Sequence, residues 1–541
     1  MNVLLVEPDY KNKYPPMGLM KISTFHKRRG DNVKFYKGKI PRDFLRNIDG
    51  IDRIYITTLF TFYYDRTIDT VKYYYRYFKS SKIFVGGIMA TLLTEQLRKD
   101  VSDIFILAGQ LTDASMLGFD DHTNIDTLPL DYSILDEIEY DYPAGDNYFS
   151  YTTRGCPNHC SFCAVPILEP NYQFTNNIHT QIMNVNDSFG EKRNLLLLDN
   201  NIFNLSVVQM TELVDDLRAL GFTKEPSFCP ESPFVQYLRK WNQPSLHHKV
   251  LQRAVDYLNS CTSKIRHADD TSKYSNLVEQ LNASDDKGAF IVENQLVFRD
   301  ILQRNIPTRL LKRYVDFNQG LEAARITPEK MIVLAQLPLN PVRIAFDHYN
   351  PQAVKNYKHA IRIAHACGIN NFSNYMLFNF DDDPDALWQR LKINIDLAQE
   401  LHISIFSFPM KYIPITETDR NYIGPHWNKK YLQAISAILI ATKGVVAQGR
   451  DFFYRAFGKS LSEFHRILLL PRDFIIYRKY YEDCGLTTQW DDLYAQMSNY
   501  DLEELICLLT QKDYEAQSDR VKKIAVFYQT EYSYNKISKG G

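Results

Sequence analysis

The segment Thr152-Thr153-Arg154-Gly155-Cys156-Pro157-Asn158-His159-Cys160-Ser161-Phe162-Cys163 places three thiols at x3 and x2 spacing, directly after an apolar run at 148–153. Gly, Pro and Asn make this stretch a loop. A loop can wrap three side chains around one centre, which a straight helix or strand does less readily. The other five cysteines (Cys229, Cys261, Cys367, Cys484, Cys507) stand singly, so the pattern is a local thiol cluster rather than a disulfide scaffold. Three cysteine thiolates can hold a [4Fe–4S] cluster and leave one iron without a protein ligand, open to substrate or cofactor. With His159 as a fourth ligand the same loop could form a Cys₃His zinc site. Zinc sites usually draw ligands from two separated knuckles, however, and the chain has no second knuckle. The iron–sulfur reading is therefore the stronger one.

N-terminal to this loop, residues 1–107 alternate between short apolar runs and helical patterns. Strands are expected at 2–6, 32–36, 53–58, 82–85 and 103–107, with helices at 18–29, 66–78 and 89–97 between them. Such alternation predicts βαβ units and a doubly wound parallel sheet over residues 1–110, with ligands at the carboxyl ends of its strands. From Asp100 to Thr153 there is no Lys or Arg, and 119–146 alone holds nine acids. Residues 111–146 accordingly read as an acidic, solvated linker.

C-terminal to the loop, a second alternation fills 147–421. Strands are expected at 148–153, 195–198, 314–317, 332–334, 343–346, 375–378 and 404–408. Helices at 206–220 and 351–366 separate some of them, and another helix opens at Asp383-Pro384. The stretch at about 222–298 is polar and irregular, with strand character only at 290–298, and reads as an insertion. Repeated βα units of this kind predict a partial or full parallel barrel with its chemistry at the strand carboxyl ends. Residues 422–541 change to a mostly helical domain.

The Cys-x3-Cys-x2-Cys spacing with aromatic Phe162 before the third Cys resembles the radical S-adenosylmethionine (radical SAM) superfamily. Arg154-Gly155-Cys156-Pro157 and Cys163-x-Val165-Pro166 sharpen the likeness. The resemblance implies a central partial (β/α)6 radical SAM barrel in which Cys156, Cys160 and Cys163 ligate the [4Fe–4S] cluster. S-adenosyl-L-methionine would chelate the open iron, and one electron would cleave it to methionine and a 5′-deoxyadenosyl radical that abstracts hydrogen from substrate. It also implies cofactor contacts from Phe162, Asp199, Gln319, Glu322, Asp347 and Asn379. The turn Asn379-Phe380-Asp381-Asp382-Asp383-Pro384 departs from the commoner Gly-x-Pro-x-Glu-Thr of related sequences. The catalytic residues themselves and the substrate are not legible. Residues 15–19 and 85–91 resemble the cobalamin-binding-type domain of one radical SAM subclass, yet the first loop lacks the Asp-x-His-x-x-Gly whose His would ligate cobalt. Cobalamin is therefore not favoured. An external flavodoxin- or ferredoxin-like electron donor is implied.

The whole-chain numbers exclude some classes. In 541 residues, 45% hydrophobic and 23% charged argues against wholesale disorder, and 63 Lys+Arg against 64 Asp+Glu excludes a chain basic throughout. No run is long enough for a membrane span, and MNVLLVEPDY lacks the features of a signal peptide, so a cytoplasmic protein is expected. Residues 450–455 and 472–479 interleave basic and aromatic side chains as nucleic-acid surfaces can, but packed amphipathic helices are the favoured explanation. The alternative functions are methyl or methylthio transfer to RNA or protein, disfavoured by the lack of a second cysteine triad, and a non-catalytic iron–sulfur binding protein.

Overall fold

A computed structural model describes the chain apart from residues 46–49, 80, 176, 241–246, 307, 447–448, 512–513 and 539–541. The chain is α/β, with parallel sheets. It divides into two compact units. One comprises Met1–His159, Cys163–Asn318 and Gln336–Pro338; the other comprises Cys160–Phe162, Gln319–Ala335 and Leu339–Gly541. Among the described residues, no helix is long and apolar enough to cross a membrane.

The first unit opens with β1 (Asn2–Glu7), β2 (Asn32–Lys37), β3 (Arg53–Thr58), β4 (Lys82–Gly87) and β5 (Phe105–Leu107). They form one parallel sheet in the order β2-β1-β3-β4-β5. The continuous apolar runs of β1, β3 and β4 suit a sheet covered on both faces. Leu4, Val6, Ile54, Ile56, Ile83 and Val85 share one core with Ile68, Val71 and Tyr74 of the helix Tyr64–Tyr77. Each such side chain contributes roughly 1.5–3 kcal/mol by leaving water. Strand order reverses between β1 and β3, and there Glu7 is fully buried, ion-paired with Lys37 and bonded by the Tyr142 hydroxyl. Gly87 ends β4 at φ +109°, where a Cβ would meet the Thr58 carbonyl at 2.4 Å; only glycine fits.

The acid-rich segment 111–146 is not solvated along its length. Leu117, Ile125, Tyr132 and Ile134 are buried, and Asp131 accepts from Ser23 at 2.6 Å while pairing with Lys27 at 2.8 Å. Asp126 and Asp131 pair with Lys21 and Lys27 of the helix Met17–Arg28, while Glu139, Asp141 and Asp146 pair with Lys249, Arg253 and Lys192.

The same unit then forms β6 (Tyr148–Ser150), β7 (Thr153–Arg154), β8 (Gln173–Phe174), β9 (Leu195–Leu197) and β10 (Val315–Phe317). β6, β9 and β10 are parallel in sequence order, and β7 pairs antiparallel with β8. Two expectations fail within and beside this region. The stretch after Phe222 is not irregular but a helical subdomain of Pro233–Lys240, His247–Cys261, Ala268–Ala283 and Lys287–Asn305. It has its own core of Phe234, Leu258, Tyr274, Leu281, Ile291 and Phe298 among others. Residues 290–298 are helix rather than strand, because Asp286 caps the Ala289 N–H and the buried positions Ile291, Phe298 and Ile301 recur at helical spacing.

In the second unit, residues 332–334 likewise belong to the helix Pro328–Leu334, started by Thr327 capping Lys330 and by Pro328. β11 (Val342–Arg343), β12 (Asn371–Phe378) and β13 (Ser404–Lys411) form a parallel sheet in sequence order, and Leu321 bridges to Ile344 in parallel. The helices Pro351–Ala366 and Pro384–Leu401 connect these strands. Helices from Lys429–Ala441 to Tyr534–Ile537 make up the rest.

Candidate functional site

The cysteine loop is closed at its base before any ligand is considered. β7 and β8 pair across it, with Thr153 opposite Phe174 and Arg154 opposite Gln173. Glu169 accepts from Arg154 Nη1 at 2.6 Å, the Gly155 N–H at 2.7 Å and Asn200 Nδ2 at 2.8 Å. Gly155 turns at φ +71°, and a Cβ there would meet the Asn171 carbonyl at 2.5 Å. Arg154 also pairs with Asp126, and its guanidinium lies 3.5 Å from the Tyr151 ring centre. Burial alone would raise the Asp126 pKa; Lys21 and Arg154 outweigh it and hold the carboxyl down at about 2.

None of the eight cysteines is in a disulfide. Cys156 and Cys163 are half-buried and Cys160 is exposed. Cys163 Sγ accepts the Val165 N–H at 3.4 Å, and Cys156 Sγ accepts from Asn201 Nδ2 at 3.7 Å. These two N–H groups hold the sulfurs at the loop's edges. Among the described residues, no three His, Cys, Asp or Glu side chains are gathered as a metal ion would need. The donor chemistry fits an iron–sulfur cluster in ligand type and number, on a loop that follows the first of three sequence-ordered parallel strands.

Asp199 is 2% exposed and follows β9. Its Oδ1 accepts from the Thr152 N–H at 2.9 Å, the Thr152 hydroxyl at 2.7 Å, the Thr153 N–H at 2.5 Å and the Thr153 hydroxyl at 2.7 Å. Its Oδ2 is buried with no hydrogen-bond partner among the described residues. Burial pushes this carboxyl up, and the four donors pull against that shift. Asp199 thus locks the residues that enter the cysteine loop.

The remaining expected residues lie in the second unit. A cleft of about 560 Å³ opens at the carboxyl ends of β11 and β12, lined by Asp347, His348, Phe380, Gln389 and His426 among others. Its wall carries Asp347, Asp381, Asp382, Asp383 and Asp385 and, among the described residues, no Lys or Arg. Phe162 lies against this wall, its ring centre 5.9 Å from His348 and 5.6 Å from Phe380. Burial raises the Asp347 carboxyl, opposed by His348 and Arg390.

Phe162 and Asp347 are therefore brought to one cleft, but other expected contacts are not. Gln319 is exposed, and Glu322 accepts from Arg325 at 2.9 Å; neither lines the cleft. Asn379 is fully buried at φ +70°. It donates to the Tyr412 and Tyr422 carbonyls at 3.1 and 3.2 Å and accepts the Gly424 N–H at 2.8 Å. Those bonds make it a tie between loops rather than an arm toward a cofactor.

The sequence reading missed Arg390, fully buried in the helix Pro384–Leu401. It donates to the carbonyls of Phe346, Asp347 and Leu377 at 3.1, 3.1 and 2.8 Å, and to Asp382 Oδ2 at 2.7 Å. One guanidinium thus fixes both strand ends and the aspartate-rich turn. Its signal was a lone arginine on the helical stripe that carries Leu387, Leu391 and Asn394.

No protein-family model matches the chain, and no curated protein matches it.

Proposed function

We infer that the chain is a radical SAM enzyme in which Cys156, Cys160 and Cys163 would hold a [4Fe–4S] cluster. The observation that carries this reading is the Cys-x3-Cys-x2-Cys loop itself, closed by β7 and β8 and clamped by Glu169. Two sets of three parallel strands in sequence order support a partial (β/α)6 barrel as its frame. When bound, the cluster supplies the electron for reductive cleavage of S-adenosyl-L-methionine, and a flavodoxin- or ferredoxin-like donor would replenish it.

The chain's own residues have distinct tasks. Arg154, Gly155 and Glu169 fix the loop entry, and Asp199 pins Thr152 and Thr153 so that Cys156 starts from a set position. The Val165 N–H and the Asn201 amide hold the Cys163 and Cys156 sulfurs in place. Phe162, against His348 and Phe380, offers an apolar surface that excludes water. The aspartate wall, which includes Asp347, suits a cationic group such as the sulfonium of SAM. No cobalamin is assigned to the first sheet, whose leading loop carries no histidine.

Anaerobic reconstitution with iron and sulfide tests the assignment. The wild-type chain should retain about four irons, and Cys156→Ala, Cys160→Ala and Cys163→Ala should each lose most of them, while Cys229→Ala retains them. Full iron retention by Cys163→Ala would overturn it.

A further inference from the structure

A second cavity in the same unit has the opposite chemistry. It measures about 450 Å³, within the range of small-molecule sites. Its walls come from the end of the helix Lys429–Ala441, from Arg450–Phe457, from Arg472–Ile476 and Arg478–Asp483, and from Tyr534. The apolar part is formed by Ile438, Ala441, Phe452, Ala456, Ile475 and Ile476. Arg455, Arg478 and Lys479 also line it, and among the described residues no Asp or Glu does. The two basic–aromatic segments of the sequence thus meet at one cavity instead of forming an extended surface.

The charge on the wall is undercompensated. Among the described residues, Arg455 and Arg478 share one carboxylate within 4 Å, Glu482 at 3.1 and 4.0 Å, and Lys479 pairs with Asp483 at 3.0 Å. Burial lowers the Arg478 pKa and Arg455 and Arg466 add to that shift, while Glu482 and Asp491 oppose it. The Thr442 hydroxyl, on the cavity wall, is buried with no hydrogen-bond partner among the described residues. Tyr477 and Tyr534 stack at 3.8 Å with a 10° interplanar angle and form a flat aromatic side. Apolar walls with a few converging polar groups recognise a ligand by body and head separately.

We propose that this cavity binds a small anionic amphiphile, an apolar chain ending in a carboxylate, with the chain among Ile438, Ala456 and Ile475 and the carboxylate on Arg455 and Arg478. Charge complementarity selects this occupant: a cation would face three positive side chains, and a neutral chain would leave Arg455 and Arg478 with Glu482 between them. A guanidinium–carboxylate contact in a partly dry site is worth about tenfold or more in affinity.

The test is calorimetric titration of the full chain with decanoate, with decyltrimethylammonium as a probe of equal chain length and opposite charge. Saturable decanoate binding, one per chain and about tenfold or more tighter than the cation, is expected. Arg478→Gln should weaken decanoate about tenfold, and Ala456→Trp, which fills the cavity, should abolish it. If Ala456→Trp does not fold, Ala441→Trp on the exposed last turn of its helix makes the same test. No saturation with decanoate, equal affinity for both probes, or unchanged binding in both Trp variants would overturn the proposal. So would displacement of decanoate by a single-stranded oligonucleotide that binds more tightly, which would make the cavity part of a nucleic-acid surface. None of these readouts depends on iron, so failure here is separate from failure of the cluster assignment.

Discussion

Two buried cations of the second unit differ in kind: one underlies the aspartate cleft, and the other starts the helix whose far end lines the basic-walled cavity. Beneath the aspartate cleft, Arg390 is fully buried and has a carboxylate, Asp382, at 2.7 Å besides its carbonyl acceptors. In the first turn of the helix Lys429–Ala441, whose far end lines the basic-walled cavity, Lys430 is 4% exposed and donates to the carbonyls of Leu468 and Leu470 at 3.0 and 2.7 Å. A guanidinium stays charged at any working pH, so the first cavity has a permanent brace. An amine without a carboxylate can give up its proton when buried, and burial pushes Lys430 down to about 7. The Arg390 brace should therefore keep its charge through neutrality, whereas Lys430 should not.

The largest expected effect is on the arginine side. Arg390→Met removes one partner of a buried ion pair and strands Asp382, along with the carbonyls of Phe346 and Asp347 after β11 and of Leu377 in β12. It should cost about 3–5 kcal/mol in guanidinium unfolding. A loss below about 1 kcal/mol would mean that the strand ends hold themselves.

The lysine side should respond to pH instead. Its folded pKa lies below the unfolded value, so the penalty for burying charge is fully present below about pH 7, where both states carry the proton. Between about 7 and the unfolded value only the unfolded state binds it, and stability rises with pH. The stability difference between wild type and Lys430→Met should shift in favour of wild type by roughly 1.4 kcal/mol per unit over that window. A flat difference would mean that the two carbonyls keep the amine charged. The smallest effect belongs to Thr442→Val, which removes a buried hydroxyl with no partner. Stability should rise by up to about 1 kcal/mol while decanoate affinity falls. A fall in stability would place a partner on that hydroxyl.

Most of the first sheet was legible because its strands are apolar runs ended by charge, turn or glycine. The expected 53–58 coincides with β3, and 2–6, 32–36 and 82–85 fall short of β1, β2 and β4 by one or two residues. Two apolar runs misled. Residues 290–298 and 332–334 are rich in β-branched and aromatic side chains, yet Asp286 and Thr327-Pro328 upstream start helices. There the caps outweigh local propensity. The acidic stretch misled because charge count says nothing of partners, which arrive from a helix about a hundred residues earlier: Ser23 and Lys27 for Asp131, and Lys21 for Asp126.

In the candidate site, the cysteine spacing could be read because its ligands are local in the chain. Arg390, Asp382 and the partners of Asn379 could not, since each depends on which strand ends a parallel sheet brings together. Asn379 shows the cost: a polar residue at a strand end suggests a ligand, and its buried bonds to 412, 422 and 424 assign it to the scaffold.

The central claim is reductive cleavage of SAM by a cluster on Cys156, Cys160 and Cys163. Its most direct test is formation of 5′-deoxyadenosine by the anaerobically reconstituted full chain with SAM and dithionite. Equal amounts of 5′-deoxyadenosine and methionine are expected, with formation lost in Cys156→Ala, Cys160→Ala and Cys163→Ala and no added cobalamin required. A chain that holds about four irons and cleaves no SAM would contradict it and leave a non-catalytic iron–sulfur protein.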